Sequence, residues 1–138
     1  AVENGKIVTA KAPLITAQCL RVPVSNGHTA AVFLTLKDKP SIEQIKADWA
    51  AFKGRAQELE LPSAPKQFLH YFEENDRPQA RLDRELEGGM AISLGRLRPD
   101  TQYDYKFVGL SHNTLRGAAG GAVLLAELLC AEGYIEHK

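Results

Sequence analysis

Residues 90–114 read MAISLGRLRPDTQYDYKFVGLSHNT, and this stretch decides the fold. Met90 to Leu97 and Tyr103 to Leu110 are two apolar-rich runs of strand length, joined through the turn signature Arg98-Pro99-Asp100. Asn113 or Thr114 then opens a helix that should reach about Glu132, with Gly133 as its stop. Two strands in direct succession do not follow the strict strand–helix alternation of a parallel α/β sheet.

Working toward the N-terminus, Leu14 to Val22 and His28 to Leu36 read as two further strands, with Ala30, Val32 and Leu34 on one face of the second. Val24-Ser25-Asn26-Gly27 between them has turn chemistry, since Asn and Gly tolerate positive φ. Ser41-Ile42-Glu43-Gln44 fits a capping box. Ile45, Trp49 and Phe52 follow at helical spacing, which predicts a helix to about Gly54 with one apolar stripe. Leu61 to Pro65 is a rigid loop, and Gln67 to Phe72 a short strand. Glu73 to Gly89 is polar and reads as a long ordered excursion, a kind of loop that often carries function. The expected class is α+β: a mixed or mainly antiparallel sheet with helices packed on one face.

The composition agrees with this class. The 138 residues balance 17 Lys+Arg against 17 Asp+Glu, and 44% are hydrophobic. A chain of that size can bury roughly two-thirds of its unfolded surface. Zero formal net charge leaves no overall basic field for a nucleic acid. No uncharged apolar run reaches the roughly 18 residues of a membrane span, and Ala1 to Lys6 lacks the layout of a signal peptide. Cys19 and Cys130 are too few for a disulfide framework and read as reduced, buried packing residues. A cytoplasmic protein that binds neither nucleic acid nor membrane is the expectation.

From Gly117 to Ala131 only Glu127 is charged. The final helix is therefore apolar almost all round, so it is either a central core helix or one docked against further protein. Gly117-Ala118-Ala119-Gly120-Gly121 does not match a dinucleotide fingerprint, and its small residues favour close packing instead. His28, His70, His112 and His137 have no metal-ligand spacing, so no metal is expected. Arg77, Arg81 and Arg84 read as a solvated face among acidic neighbours. Arg21 and His28 are the candidates for chemistry. If their strands pair, they share a face, where a guanidinium could grip a carboxylate and an imidazole move a proton. By themselves such residues more often decorate a strand end than carry chemistry. Ser111-His112-Asn113-Thr114 gathers polar groups at a helix start, which is either a ligand contact or ordinary capping.

Taken together, the segments Cys19 to Thr29, Leu61 to Gln67, Arg77 to Arg84, Asp104 to Val108 and Leu110 to Thr114 resemble, in order, the aspartate-semialdehyde dehydrogenase family, and its archaeal and fungal branch above all. The resemblance runs from about Leu14 onward. It implies NADP-dependent interconversion of aspartyl 4-phosphate with aspartate 4-semialdehyde plus phosphate, on the route to threonine, methionine and isoleucine. By the same resemblance His28 matches the acid–base histidine, Arg21 the arginine that clamps the substrate's α-carboxylate, and Asn113 a residue beside the nicotinamide.

The family's G-x-x-G nucleotide loop and its Asn-Cys nucleophile block do not occur in these residues. The resemblance thus implies a C-terminal part, inactive alone. Residues 1–112 would be part of a substrate-binding and dimerisation domain, and 113–138 a helix packing on a nucleotide-binding domain supplied elsewhere. NADP would be bound mainly by that other domain. A homodimer or higher homo-oligomer is the implied assembly. Two alternatives remain: a domain of an N-acetyl-glutamyl phosphate reductase-like enzyme, or a non-catalytic assembly domain.

Overall fold

In the computed structural model, which describes residues 1–135, the chain runs β1 (Val2–Glu3), β2 (Lys6–Ile7), β3 (His28–Leu34), α1 (Ile42–Ala51), α2 (Arg55–Glu58), β4 (Leu69–Phe72), α3 (Ala80–Asp83), β5 (Ile92–Pro99), β6 (Tyr105–Ser111) and α4 (Gly120–Ala131). His137 and the end of segment 113–138 lie outside the described residues. The principal sheet has the order β3-β6-β5-β4. β3 and β5 both lie antiparallel to β6, whereas β4 lies parallel to β5. The sheet is therefore mixed, in an α+β arrangement as the sequence predicts.

The parallel pair explains the excursion between Phe72 and Ile92. Adjacent parallel strands cannot be joined by a tight turn and need a crossover of a dozen or more residues. That crossover contains α3 and a 3-10 turn at Leu86–Gly89. It passes closely over β5, where a Cβ at Gly95 would strike the Arg77 carbonyl. Ser93 Oγ donates to the Asp83 carbonyl at 3.3 Å in the same region.

α1 starts as expected: Ser41 is the N-cap and its Oγ accepts from Gln44 N–H at 3.1 Å. Only half the capping box forms, because the Gln44 side chain donates instead to Asp48 at 2.7 Å. The helix ends at Ala51, earlier than the predicted Gly54, and Gly54 caps the separate α2. Ile45 of α1 is buried with Leu97 and Tyr105, and Trp49 meets Phe107 edge-on with ring centroids 5.1 Å apart. A second cluster joins Leu61, Met90 and Leu124 of α4. Gly120 packs closely there, since a Cβ would lie 2.6 Å from Met90 Sδ and 3.1 Å from the Leu115 carbonyl oxygen.

Four expectations need correction. Residues 14–22 form no strand. Alternating apolar residues give such a segment strand propensity, but a strand exists only where a neighbour meets its N–H and C=O groups. β3 pairs with β6 on one side, and nothing in the described chain pairs with 14–22. Leu14 and Ile15 are consequently 96% and 81% exposed. Cys19 lies in that irregular stretch and is exposed rather than buried, as is Cys130 on the outer side of α4. The arginine run is not simply solvated, because Arg77 is tied to buried Asp83. Finally, the last helix starts at Thr114 as its N-cap, where the sequence predicts its start, but its first turn, Leu115–Ala119, is π-helical rather than α-helical. Gly133 does end it, at φ +76°.

Candidate functional site

His28 is the first residue of β3 and stands opposite Ser111, the last of β6. The preceding Gly27 turns the chain at φ +110°, a conformation that glycine adopts readily and other residues rarely. Gly27 is buried, and a Cβ there would lie 3.2 Å from Leu110 Cδ1 and 3.3 Å from Ala80 Cβ. β6 and α3 thus close on the turn from two sides. Arg84 Nη1 also reaches Ser25 Oγ at 3.3 Å. The imidazole-bearing residue that this turn delivers remains exposed.

The chain leaving β6 forms the adjoining wall. His112 is only 3% exposed, and its Nδ1 accepts from the N–H groups of Leu115 at 3.1 Å and Thr114 at 3.2 Å. Two donors aimed at Nδ1 require that it carry no proton, so the neutral ring holds its hydrogen on Nε2, which faces Glu85 Oε1 at 3.5 Å. His112 therefore caps the helical turn whose first N–H groups have no partner of their own. Asn113 points the other way. Its Oδ1 accepts from Gly27 N–H at 3.0 Å, a contact across 86 positions of sequence. Only an amide oxygen can meet a backbone N–H, so the Asn113 carboxamide has one orientation here and presents its Nδ2 donors to any ligand.

The structure ties Asn113 to Gly27, the residue before His28, and gives Arg21 no strand to hold it against either. Arg21 is exposed in the irregular stretch between β2 and β3, and no strand containing it lies along the open edge of β3 beside His28. The pairing argument for Arg21 fails because the strand it needs is not formed. Gly27 takes the positive φ that the sequence predicts for the turn, whereas its packing against Leu110 and against Ala80 of the crossover was not foreseen, since contacts over such separations leave no local pattern.

Beneath the turn, Asp83 is 3% exposed. Burial alone would raise its carboxyl, yet the Arg77 guanidinium and Gln79 N–H, at 2.7 Å, hold it below the usual aspartate range. Elsewhere a groove of about 380 Å³ runs between α2, Phe68 and α4, with the Arg116 guanidinium 4.7 Å from the Phe68 ring centre. Arg21, His28 and Asn113 are not among its lining residues. At the His28 site itself, an exposed imidazole can exchange a proton with a carbonyl compound, and the Asn113 carboxamide is anchored to the residue just before it.

Residues 1–116 match the family described as semialdehyde dehydrogenase, dimerisation domain. The aspartate-semialdehyde dehydrogenase of Saccharomyces cerevisiae is 46% identical over 132 residues, covering 94% of this chain and 36% of that protein. The crystal structure of aspartate-semialdehyde dehydrogenase with NADP from Candida albicans superposes with a TM-score of 0.75 at 43% identity, covering 83% of this chain and 33% of that one. A protein named malonyl CoA reductase (NADP), from Metallosphaera sedula, is 38% identical over 120 residues, covering 86% of this chain and 34% of its own length. The chain spans about a third of the length of the curated relatives it matches.

Proposed function

The chain belongs to the semialdehyde dehydrogenase dimerisation-domain family, and from that premise we propose that it is the C-terminal part of an aspartate-semialdehyde dehydrogenase. The enzyme interconverts aspartyl 4-phosphate with aspartate 4-semialdehyde plus phosphate. The observation that carries this reading is the 46% identity to the yeast enzyme over 94% of the chain. Residues 1–112 supply the substrate side and the subunit contact, and 113–138 pack on a nucleotide-binding portion outside this sequence. The working assembly is a homodimer or higher oligomer in the cytoplasm. Among the described residues no helix is long and apolar enough to cross a membrane.

His28 exchanges the proton of the reacting carbonyl group, a task suited to an exposed imidazole near neutral pH. Arg21 grips the α-carboxylate once the stretch around it is ordered by neighbouring protein. NADP, when bound, supplies or accepts the hydride. The Nδ2 donors of Asn113 fit the oxygen of a carboxamide such as that of nicotinamide. These residues contain no glycine-rich phosphate loop, so the remainder of the nucleotide is held elsewhere. The covalent step likewise needs a nucleophile from outside this sequence, because Cys19 and Cys130 match no nucleophile block and this chain alone is inactive.

Mixing the chain with a separately produced N-terminal portion tests the proposal. NADPH formation from aspartate 4-semialdehyde and phosphate should appear in the mixture and vanish with His28→Ala. A mixture that used malonyl-CoA or an N-acetyl-glutamyl substrate in preference would replace the aspartyl assignment.

A further inference from the structure

We propose that Asn113 is a positioning residue for His28, acting through the Gly27 N–H. The inference rests on the reading of His28 as the proton-transfer group and adds a role for Asn113 distinct from contact with the nicotinamide. Among the described residues β3 is an edge strand, hydrogen-bonded only to β6, and His28↔Ser111 is the terminal pair of their ladder. The end of a two-strand ladder is where pairing opens first. Gly27, just before that pair, is in a left-handed conformation that offers nothing to stop such opening. Its N–H is instead secured at 3.0 Å by Asn113 Oδ1, from the segment that leaves β6 just past Ser111.

The anchor is itself held firm. His112, next to Asn113, is buried and fixed by two N–H groups of the following turn. Asn113 therefore projects from a rigid corner onto a turn that Leu110 and Ala80 pack from below. The contact joins the start of the last helix to the start of the His28 strand, so the proton-transfer group and the helix entrance keep one relative geometry. Catalytic geometry needs that constancy, because a displacement of about 1 Å can cost on the order of a hundredfold in rate.

The experiment compares Asn113→Ala and Asn113→Asp in the full-length enzyme, with His28→Ala as control. Asp keeps an oxygen that can accept from Gly27 N–H but loses the two amide donors. Positioning predicts that Gly27 amide hydrogen exchange speeds up about three- to tenfold in Asn113→Ala and stays protected in Asn113→Asp. It also predicts that kcat falls in Asn113→Ala more than in Asn113→Asp, while KM for NADP rises in both through loss of the donors. Unchanged exchange at Gly27 in Asn113→Ala would overturn the inference, as would equal kcat losses in the two variants. If His28→Ala kept full activity, the proton-transfer reading would fall instead, and the exchange result would still report on the anchor.

Discussion

Asp83 and Arg77 form an ion pair in which the carboxylate is almost wholly buried and the guanidinium partly so, with side chains 1% and 25% exposed. Arg77 Nε donates to both carboxylate oxygens, at 2.8 and 3.0 Å, Arg77 Nη2 donates to Oδ1 as well, and Gln79 N–H adds a third donor at 2.7 Å. The pair folds the crossover into a shape that places Ala80 under Gly27, so it bears indirectly on the position of His28.

Asp83→Asn should destabilise the chain by about 1–3 kcal/mol, since it removes the charge-assisted hydrogen bonds that the buried carboxylate accepts, while the partly exposed Arg77 can turn to solvent. Denaturant unfolding followed by circular dichroism measures this. The acid limb should change as well. Because the folded carboxyl titrates below its unfolded value of 3.8, its contribution is complete above that pH and is lost as pH falls through the folded value. The variant should therefore lose part of the wild-type's steepening instability at acid pH.

His28→Ala in the full-length enzyme should lower kcat by about 10²–10⁴-fold, the usual span for loss of a positioned acid–base group. The side chain is exposed, so the thermal midpoint should hardly move. A large shift in that midpoint would mean that the histidine serves the fold rather than the reaction.

Arg21→Ala should raise KM for aspartate 4-semialdehyde by roughly ten- to a hundredfold, the worth of a charge-assisted contact, with a smaller effect on kcat. In the isolated chain the same change should leave stability untouched, because Arg21 sits exposed in an irregular segment. Steady-state kinetics paired with unfolding curves separate the two statements.

Gly95→Ala tests the crossover. The added methyl would meet the Arg77 carbonyl and lie 2.9 Å from Pro78 Cδ, and backbone cannot swing aside as a side-chain tip can. A loss of about 1–3 kcal/mol is expected from such overpacking. A substitution without cost would show that the crossover is free to lift away from β5.

Self-association is the last prediction. Phe33 on β3, and Val123 and Leu125 on α4, are 53%, 53% and 55% exposed, and large apolar surface of this kind marks contact sites. Light scattering after size exclusion should give a dimer fraction that grows with concentration. A strict monomer throughout would count against the pairing role.

Much of this architecture was legible because it rests on local chemistry. Ser41 as a cap, Ile45 and Trp49 one helical turn apart, the two runs around Arg98-Pro99-Asp100, and Gly133 as a stop each act within a few residues. Segment 14–22 has equally good alternation, yet forms no strand, because no strand among the described residues pairs with it. Arg77 looks like any surface arginine until the crossover folds back and places Asp83 beside it. The candidate site divides in the same way. His28 and Asn113 carry residue types whose chemistry can be named in advance, whereas the contact between Gly27 and Asn113 has no signature in either neighbourhood.

The sequence by itself determined which segments could be helix or strand, since dihedral preference, capping and periodic burial are properties of neighbouring residues. Tertiary structure alone decided the strand order, the parallel setting of β4 on β5, the burial of Asp83, and which polar groups surround His28. Those depend on hydrogen-bond donors and apolar faces meeting across long separations. A pairing is selected by the free energy of the whole assembled sheet and cannot be read from the preference of any one segment.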